Sequence, residues 1–228
     1  MPKKRRRGAP RVLPARVTRR EDGRLALEVG GVTQSVTMPE GETSDAASQG
    51  YWGLMLPPDC PRRALLLGLG GGAVATLLAR RCPQTRIVGI ERDPAVLALA
   101  LDAFGLRALP GLTIVEADAF AWVEAQRGEE LDLAEGAERF DLICVDLFEA
   151  GRLAAGTLAT AFLRRIAALL EPDGVATFNL MVTRRTPEQL HRLRRVFHIQ
   201  RELRLHGNLV VHLTPLPPAA PDDSTEDC

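Results

Sequence analysis

The sequence predicts an α/β fold, in which a largely parallel sheet carries helices on both faces and follows a small N-terminal β-hairpin element. Three observations predict it. A glycine-rich turn follows a short apolar run near residue 65, further apolar runs then alternate with amphipathic stretches, and two apolar segments flank a Gly-Gly pair near the start of the chain. Alternation of this kind is typical of parallel sheets, whose ligands lie beyond the carboxyl ends of the strands.

The glycine-rich turn belongs to a predicted nucleotide-binding strand-helix-strand unit that spans residues 65–91. Gly68, Gly70 and Gly72 allow the backbone to turn sharply and to approach a ligand without interference from a Cβ atom. The N–H groups that open the following helix attract negatively charged groups. Glu91 ends the second apolar run, where its carboxylate can accept hydrogen bonds from two ribose hydroxyls. A tight strand-to-helix turn without a ligand is the alternative interpretation.

The residues before this unit divide into a tail and a small β element. Residues 1–20 are basic and contain little to bury, so we expect them to form a disordered tail. Two apolar segments around a Gly-Gly pair predict a β-hairpin within a small β element over residues 21–56; these segments are residues 25–29 and 32–36. Tyr51 and Trp52, in a predicted short helix or apolar plug, either line a substrate cleft or belong to the core.

The chain beyond the unit predicts alternating helices and strands that complete a domain over residues 57–214. Asp93-Pro94 and Asp118 are good helix starts, since Asp caps the first turn and Pro suits its first position. Residues 140–146 form a nearly continuous apolar run, typical of a parallel strand buried on both faces. The remaining predictions are a strand at 112–115, a charged surface insertion at 128–139, helices at 157–170 and from Thr186, a turn at 171–174, a strand at 175–180, a closing hairpin of residues 201–205 and 208–213, and a disordered acidic tail at 215–228.

Charge, hydropathy and cysteine spacing limit the classes of function. The 29 basic and 29 acidic side chains give a formal net charge of zero, so no overall field draws the protein to nucleic acid, and only the basic start offers such a contact. No apolar run approaches about 18 residues, which argues against a membrane protein. The cysteines lack metal-type or disulfide-type spacing and predict free thiols in a cytoplasmic protein without a bound metal; they are Cys60, Cys82, Cys144 and Cys228.

Three acidic residues stand at the carboxyl ends of predicted strands: Glu91, Asp118 and Asp146. Together with the glycine turn, this order of motifs resembles the class I S-adenosylmethionine-dependent methyltransferases, which have a Rossmann-like fold. The resemblance implies that the glycine turn holds the methionine part of the cofactor, that Glu91 binds its ribose, and that Asp118 with Ala119 binds its adenine. A dehydrogenase shares the glycine turn and the ribose acid but gives no reason for the third acid or for a closing hairpin.

Within that fold the chain resembles the spermidine synthase branch. The residues that carry the resemblance are the Gly31-Val32-x-Gln34 hairpin motif, Tyr51, the glycine turn, Asp118, and the pair Asp146 and Glu149. It implies that Asp146 is the general base, that Glu149 holds a substrate ammonium, that Gln34 and Tyr51 contact substrate, and that the protein forms a homodimer. The chemistry is consistent, because an amine that attacks a sulfonium-activated carbon must be held in line and must lose a proton.

The glycine turn departs from the branch at one position that bears on the donor. The branch has an acid where this chain has Gly71, and without that acid the ammonium of decarboxylated S-adenosylmethionine loses a charged partner. The carboxylate of intact S-adenosylmethionine can instead be received by open N–H groups of residues 70–73. We therefore expect methyl transfer from S-adenosylmethionine to a small-molecule acceptor such as an amine. Aminopropyl transfer from the decarboxylated donor to a polyamine, and a noncatalytic nucleotide-binding protein, are the alternatives.

Overall fold

The computed structural model describes residues 14–37, 50–126 and 138–217 of the chain. Predictions for the first 13 residues, for most of the charged insertion and for nearly all of the acidic tail lie outside these ranges. The described residues form a three-stranded antiparallel sheet, a seven-stranded main sheet and a two-stranded ribbon. The strands are β1 (Ala15–Arg19), β2 (Leu25–Val29), β3 (Val32–Val36), β4 (Arg63–Leu67), β5 (Arg86–Glu91), β6 (Leu112–Glu116), β7 (Phe140–Val145), β8 (Phe148–Glu149), β9 (Arg152–Leu153), β10 (Leu170–Met181), β11 (Phe197–Leu205) and β12 (Asn208–Pro215).

The main sheet has the order β11-β12-β10-β7-β4-β5-β6. Its five strands from β10 to β6 run parallel, while β12 and β11 are antiparallel to their neighbours. The chain moves outward from β4 through β5 to β6, and then returns to place β7 on the other side of β4. The strand order therefore reverses between β4 and β7, and the carboxyl ends of these two strands mark the expected ligand crevice.

Helices cover both faces of the main sheet, as predicted. One apolar core joins the sheet to the first three helices and a second core joins it to the last three. The helices are α1 (Tyr51–Leu54), α2 (Ala73–Arg81), α3 (Pro94–Ala103), α4 (Ala119–Ala125), α5 (Thr160–Leu169) and α6 (Thr186–Arg194). The predicted caps are confirmed for α3, where Asp93 accepts a hydrogen bond from Ala95 N–H, and for α4, where Asp118 accepts one from Ala121 N–H.

The N-terminal sheet confirms the predicted hairpin and corrects the predicted tail. Strands β2 and β3 pair around Gly30 and Gly31, which both have positive φ. Residues 15–19, which we expected within a disordered tail, instead form β1 and pair with β2. The strand forms because its polar side chains find partners there: Arg16 and Thr18 both donate hydrogen bonds to the Glu28 carboxylate. The sheet packs against α3 and so reaches the carboxyl ends of the main strands.

Several element boundaries differ from the predictions. Helix α5 begins at Thr160 rather than at residue 157, and the closing hairpin is longer at both ends. The predicted turn at 171–174 is a bulged part of β10, because Leu170 already pairs with Phe140 of β7. Thr186 lies inside the first turn of α6, where its hydroxyl accepts a hydrogen bond from Thr183 N–H.

Two of the four cysteines form a disulfide, which corrects the prediction of free thiols throughout. Cys60 precedes β4 and Cys82 ends α2, and packing of that helix on the sheet brings their Cα atoms to 5.5 Å. Cys144 is a buried free cysteine on β7, and burial raises the pKa of its thiol to about 12. No helix in the described part of the chain is long and apolar enough to cross a membrane.

Candidate active site

A cavity of about 560 Å³ opens beyond the carboxyl ends of β4, β5, β6 and β7. Its far wall comes from the N-terminal sheet, through Val29, Gln34 and Ser35. It brings together eight of the ten residues that the sequence predicted for the site, namely Gln34, Gly68, Gly70, Glu91, Asp118, Ala119, Asp146 and Glu149. Gly72 and Tyr51 lie behind the wall, although Tyr51 contacts a residue that lines it.

Glu91 is held in place by backbone N–H groups on both sides of its carboxylate. Its Oε2 accepts a hydrogen bond from Gly70 N–H at 3.0 Å, which ties the acid at the end of β5 to the glycine turn after β4. Its Oε1 accepts from the N–H groups of Arg92 and Asp93 at 2.9 and 3.1 Å. Because a carboxylate has about four acceptor positions, this fixed group can still accept hydrogen bonds from a ligand in the cavity.

The glycines of the turn have different physical roles. A Cβ atom at Gly68 would lie 2.4 Å from the Asp146 carbonyl oxygen, so this glycine permits the close approach of the ends of β4 and β7. A Cβ atom at Gly72 would lie 2.3 Å from Leu106, and the residue caps α2 with φ of +74°. Around Gly70 the nearest atom to such a Cβ is Ser35 Oγ at 3.8 Å, so the turn faces the cavity at Gly70.

The N–H groups of residues 70–72 are already engaged within the protein, which corrects the expectation for these three groups of the predicted carboxylate site at residues 70–73. The Gly70 group donates to Glu91, the Gly71 group donates to Ser35 Oγ at 3.2 Å, and the Gly72 group donates to the Leu69 carbonyl at 2.9 Å. They are engaged because the turn folds back on itself and because β3 presses against it. A ligand carboxylate must therefore find donors other than these three groups.

Ser35 explains why residue 71 is glycine. The side chain of Ser35 is buried, with 2% of its surface exposed, and a Cβ atom at Gly71 would lie 2.6 Å from Ser35 Cβ and 3.2 Å from Phe104. No side chain fits at position 71 unless Ser35 moves. Sequence reasoning missed Ser35, and its only signal was its place beside Gln34 in the hairpin.

Asp146 follows β7 and is held by two side chains from other elements. Its Oδ2 accepts a hydrogen bond from the Tyr51 hydroxyl at 3.0 Å, and its Oδ1 accepts one from Asn179 Nδ2 at 2.8 Å. Burial raises the pKa of Asp146 to about 6, and the two hydrogen bonds oppose part of that rise. Burial and the nearby Asp146 carboxylate also raise the pKa of Tyr51, so its hydroxyl stays protonated. Asn179 was missed, although a polar residue in the apolar run of β10 was a usable signal.

Glu149 lies in the two-stranded ribbon and is paired with an arginine. Arg92 Nη1 lies 2.7 Å from Glu149 Oε1 and 3.8 Å from Asp118 Oδ2. Arg92 directly follows Glu91 at the end of β5, and this position places it at the rim of the cavity, where Glu149 also lies. Glu149 therefore does not present a free charge to a substrate ammonium, as its predicted role requires. Asp118 uses its other oxygen to cap α4, and the buried Ala119 lines the cavity beside it.

The cavity is acidic. Among the described residues, its lining contains one cationic side chain, Arg92, and five carboxylates, those of Glu91, Asp93, Asp118, Asp146 and Glu149. Carboxylates gathered in a partly enclosed space favour a cationic ligand. The group that best fits this charge, the fixed acid after β5 and the glycine turn is a nucleoside with a positively charged substituent.

Comparison with known proteins finds methyltransferases and aminopropyltransferases among the relatives of the chain, although no protein-family model matches it. An eEF1A lysine and N-terminal methyltransferase homolog from Drosophila pseudoobscura pseudoobscura is 32% identical over 142 residues, which are 61% of this chain and 21% of the relative. The chain thus spans about a fifth of the length of that relative. A polyamine aminopropyltransferase from Chromobacterium violaceum is 28% identical over 199 residues, covering 84% of this chain and 73% of the relative.

Solved structures share the fold of the chain. Human methyltransferase-like protein 13, in complex with SAH, superposes with a TM-score of 0.59 and 23% identity over 70% of this chain and 74% of that one. Spermidine synthase from Thermotoga maritima superposes with a TM-score of 0.64 and 16% identity over 91% of this chain and 71% of that one. The predicted fold, and the resemblance to class I methyltransferases and to spermidine synthases, are therefore confirmed.

Proposed function

We propose that this chain, whose fold is that of the class I methyltransferases and spermidine synthases and whose relatives are transferases, moves a methyl group from S-adenosylmethionine to an amine. The observation that carries the choice of donor is the contact between Ser35 and Gly71. Because Ser35 fills the space beside the turn, position 71 cannot hold the acid that would pair with the ammonium of decarboxylated S-adenosylmethionine. A neutral hydroxyl stands there instead.

The residues of the cavity fit intact S-adenosylmethionine. Glu91 would accept hydrogen bonds from the ribose hydroxyls, Asp118 and Ala119 would lie beside the adenine, and the surrounding carboxylates complement the positive sulfonium. When bound, the cofactor supplies an electrophilic methyl carbon and leaves as S-adenosylhomocysteine. The human structural neighbour was solved in complex with SAH, the same product, which supports this donor.

Neutral side chains of the N-terminal sheet can bind the carboxylate of S-adenosylmethionine, which we had expected the N–H groups of the turn to bind. Ser35 Oγ accepts a hydrogen bond from Gly71 N–H, so its own hydrogen is left to donate, and the Gln34 side-chain amide carries two donors. Both residues line the cavity beside Gly70. We assign them to the carboxylate of the methionine part, which a hydroxyl and an amide can receive without adding charge.

Asp146 is the general base in this proposal. An amine acceptor is an ammonium ion at neutral pH and must lose a proton before its nitrogen lone pair can attack the methyl carbon. With a pKa of about 6, Asp146 is ionised at neutral pH and yet binds a proton more readily than an ordinary aspartate. The hydrogen bonds from Tyr51 and Asn179 fix both of its oxygens, so the carboxylate is oriented before substrate binds.

An amine acceptor accords with the two relatives described above. Lysine side chains and protein N-termini are primary amines, and so are the ends of a polyamine. The second candidate function is aminopropyl transfer, and it is favoured by the length of the match to the Chromobacterium violaceum enzyme, which covers 84% of this chain. The same base would serve in that reaction, so the donor distinguishes the two functions.

The test is a competition between the two donors, followed by a transfer assay. We expect calorimetry to show tighter binding of S-adenosylmethionine than of the decarboxylated form, and we expect methyl-labelled donor with a pool of amines to release S-adenosylhomocysteine. Binding of the decarboxylated donor more than about tenfold tighter, a difference of about 1.4 kcal/mol, with release of methylthioadenosine would establish the aminopropyltransferase instead. Tight binding without turnover of either donor would indicate a noncatalytic binding protein.

A further inference from the structure

We propose that Arg92 is a specificity-determining residue that keeps diamines and polyamines out of the cavity, so that the acceptor presents a single amine. The proposal rests on the proposed function for its account of the acceptor. It concerns a part of the cavity different from the donor-binding turn, namely the rim between β5 and the β8-β9 ribbon.

Arg92 stands at the boundary between two cavities. A second cavity, of about 470 Å³, lies between α4 and α5. Four residues line both cavities and so form the partition between them: Arg92, Asp118, Phe120 and Glu149. The guanidinium of Arg92 reaches across this partition to Glu149 at 2.7 Å and lies 3.8 Å from Asp118. An extended acceptor that filled both cavities would have to pass this group.

The charge at the partition argues against a second ammonium there. Asp118 lies beside the adenine in the proposed function, so Glu149 is the acid of the partition that an acceptor can reach. Without Arg92, Glu149 would face the first cavity with no cation among the described residues that line it, while Arg165 lines the second cavity. Glu149 would then attract the distal ammonium of a diamine whose near nitrogen sits at Asp146. With Arg92 present, Glu149 is already paired and a second cation meets a like charge.

Arginine suits this role better than lysine does. Its planar guanidinium carries five N–H donors, can serve two carboxylates at once and stays charged at all physiological pH values. The ion pair itself does little for folding, because Arg92 and Glu149 are 42% and 48% exposed and exposed pairs contribute little to stability. Its removal should therefore change binding while the fold is kept.

The experiment measures binding of 1,4-diaminobutane by calorimetry, at low salt, to the full chain saturated with S-adenosylhomocysteine and again to the free chain. Arg92→Ala should bind the diamine about tenfold more tightly than the wild type. Arg92→Ala combined with Glu149→Gln should return the affinity to within about threefold of the wild type. Because the new contact is half-exposed, about 0.5 M salt should remove most of the gain.

Arg107→Ala is the matched control, because Arg107 also forms an exposed ion pair, with Asp102 at 3.3 Å, and lines neither cavity. It should leave diamine affinity unchanged. The proposal is overturned if the wild type already binds the diamine as tightly as Arg92→Ala does, or if the gain persists after Glu149→Gln. Failure of the proposed function would be seen separately, because the wild type would then not bind the donor. In that case the diamine affinities of the wild type and of Arg92→Ala, measured on the free chain, would still decide the proposal.

Discussion

The hydroxyl of Tyr51 donates a hydrogen bond to Oδ2 of Asp146 at 3.0 Å, although 95 residues separate the two in the sequence. The contact joins the short helix α1, which precedes β4 in the chain, to the end of β7. It places the half-buried carboxylate of Asp146, which lines the cavity, against an aromatic side chain that lies behind the cavity wall.

Asp146→Asn should lower turnover by about 10²-fold or more, in the range for the loss of a general base, with donor affinity nearly unchanged. The amide keeps the shape of the carboxylate and can still bond to Tyr51 and Asn179. Steady-state kinetics and donor calorimetry on the same preparation measure the two effects. Asp173→Asn is the control, because Asp173 is an exposed residue on the β10 bulge. It should change neither turnover nor donor affinity. Wild-type turnover in Asp146→Asn would remove Asp146 from catalysis.

The free energy of unfolding should depend on pH through Asp146. Its pKa in the folded protein is about 6, above the ordinary value of 3.8, so the unfolded state binds fewer protons between these values and stability falls as pH rises from about 4 to about 6. The loss should be about 1–3 kcal/mol, toward the lower end because water in the cavity reaches this half-buried residue. Asp146→Asn should lack this slope in urea unfolding. An equal slope in both proteins would contradict the prediction.

Asn179→Ala and Tyr51→Phe should each move the acidic limb of the pH-rate profile to higher pH. Both native hydrogen bonds favour the ionised carboxylate of Asp146, and loss of either leaves burial to raise its pKa further. The measurement is the pH dependence of turnover at saturating donor. A uniform loss of rate at all pH values, with no shift of the limb, would mean that the two residues act only on structure.

Glu91→Ala should weaken donor binding by well over tenfold while the fold is kept, because charge-assisted hydrogen bonds contribute about 1.5–3 kcal/mol each. Glu116→Ala is the matched control, since Glu116 pairs in register with Glu91 at the end of the next strand and lies outside the cavity lining. Calorimetry measures both. Donor affinity that is equal in the two variants would show that Glu91 does not bind the ribose.

Gly71→Ala should destabilise the protein by about 1–3 kcal/mol, the usual effect of overpacking a filled site, because its Cβ would meet Ser35. Ser35→Gly should restore part of that loss in the double variant. The choice of donor can be tested in the Ser35→Gly variant. Adding Gly71→Asp to it should raise the affinity for decarboxylated S-adenosylmethionine relative to that for S-adenosylmethionine. Full stability of Gly71→Ala in urea unfolding would show that the contact does not constrain position 71.

Much of the site followed from local patterns. Glu91, Asp118 and Asp146 each end a buried strand, and parallel strands place such ends on one edge of a sheet, so their proximity was predictable. Ser35, Asn179 and Arg92 were missed for a common reason. Each acts on a residue distant in the sequence, and its partner is set by how β3, β10 and the β8-β9 ribbon pack, which no local pattern records.

The sequence by itself determined the alternation of strands and helices in the main sheet, the glycine turn and the acids that follow the strands, because these depend on residue periodicity and on backbone conformations available to glycine. Only the tertiary structure decided that Cys60 and Cys82 are joined, that Arg92 pairs with Glu149, and that the N–H groups of residues 70–72 are already engaged. The reason is that pairing depends on distances across the packed core, where a helix end, a hairpin and a strand end meet.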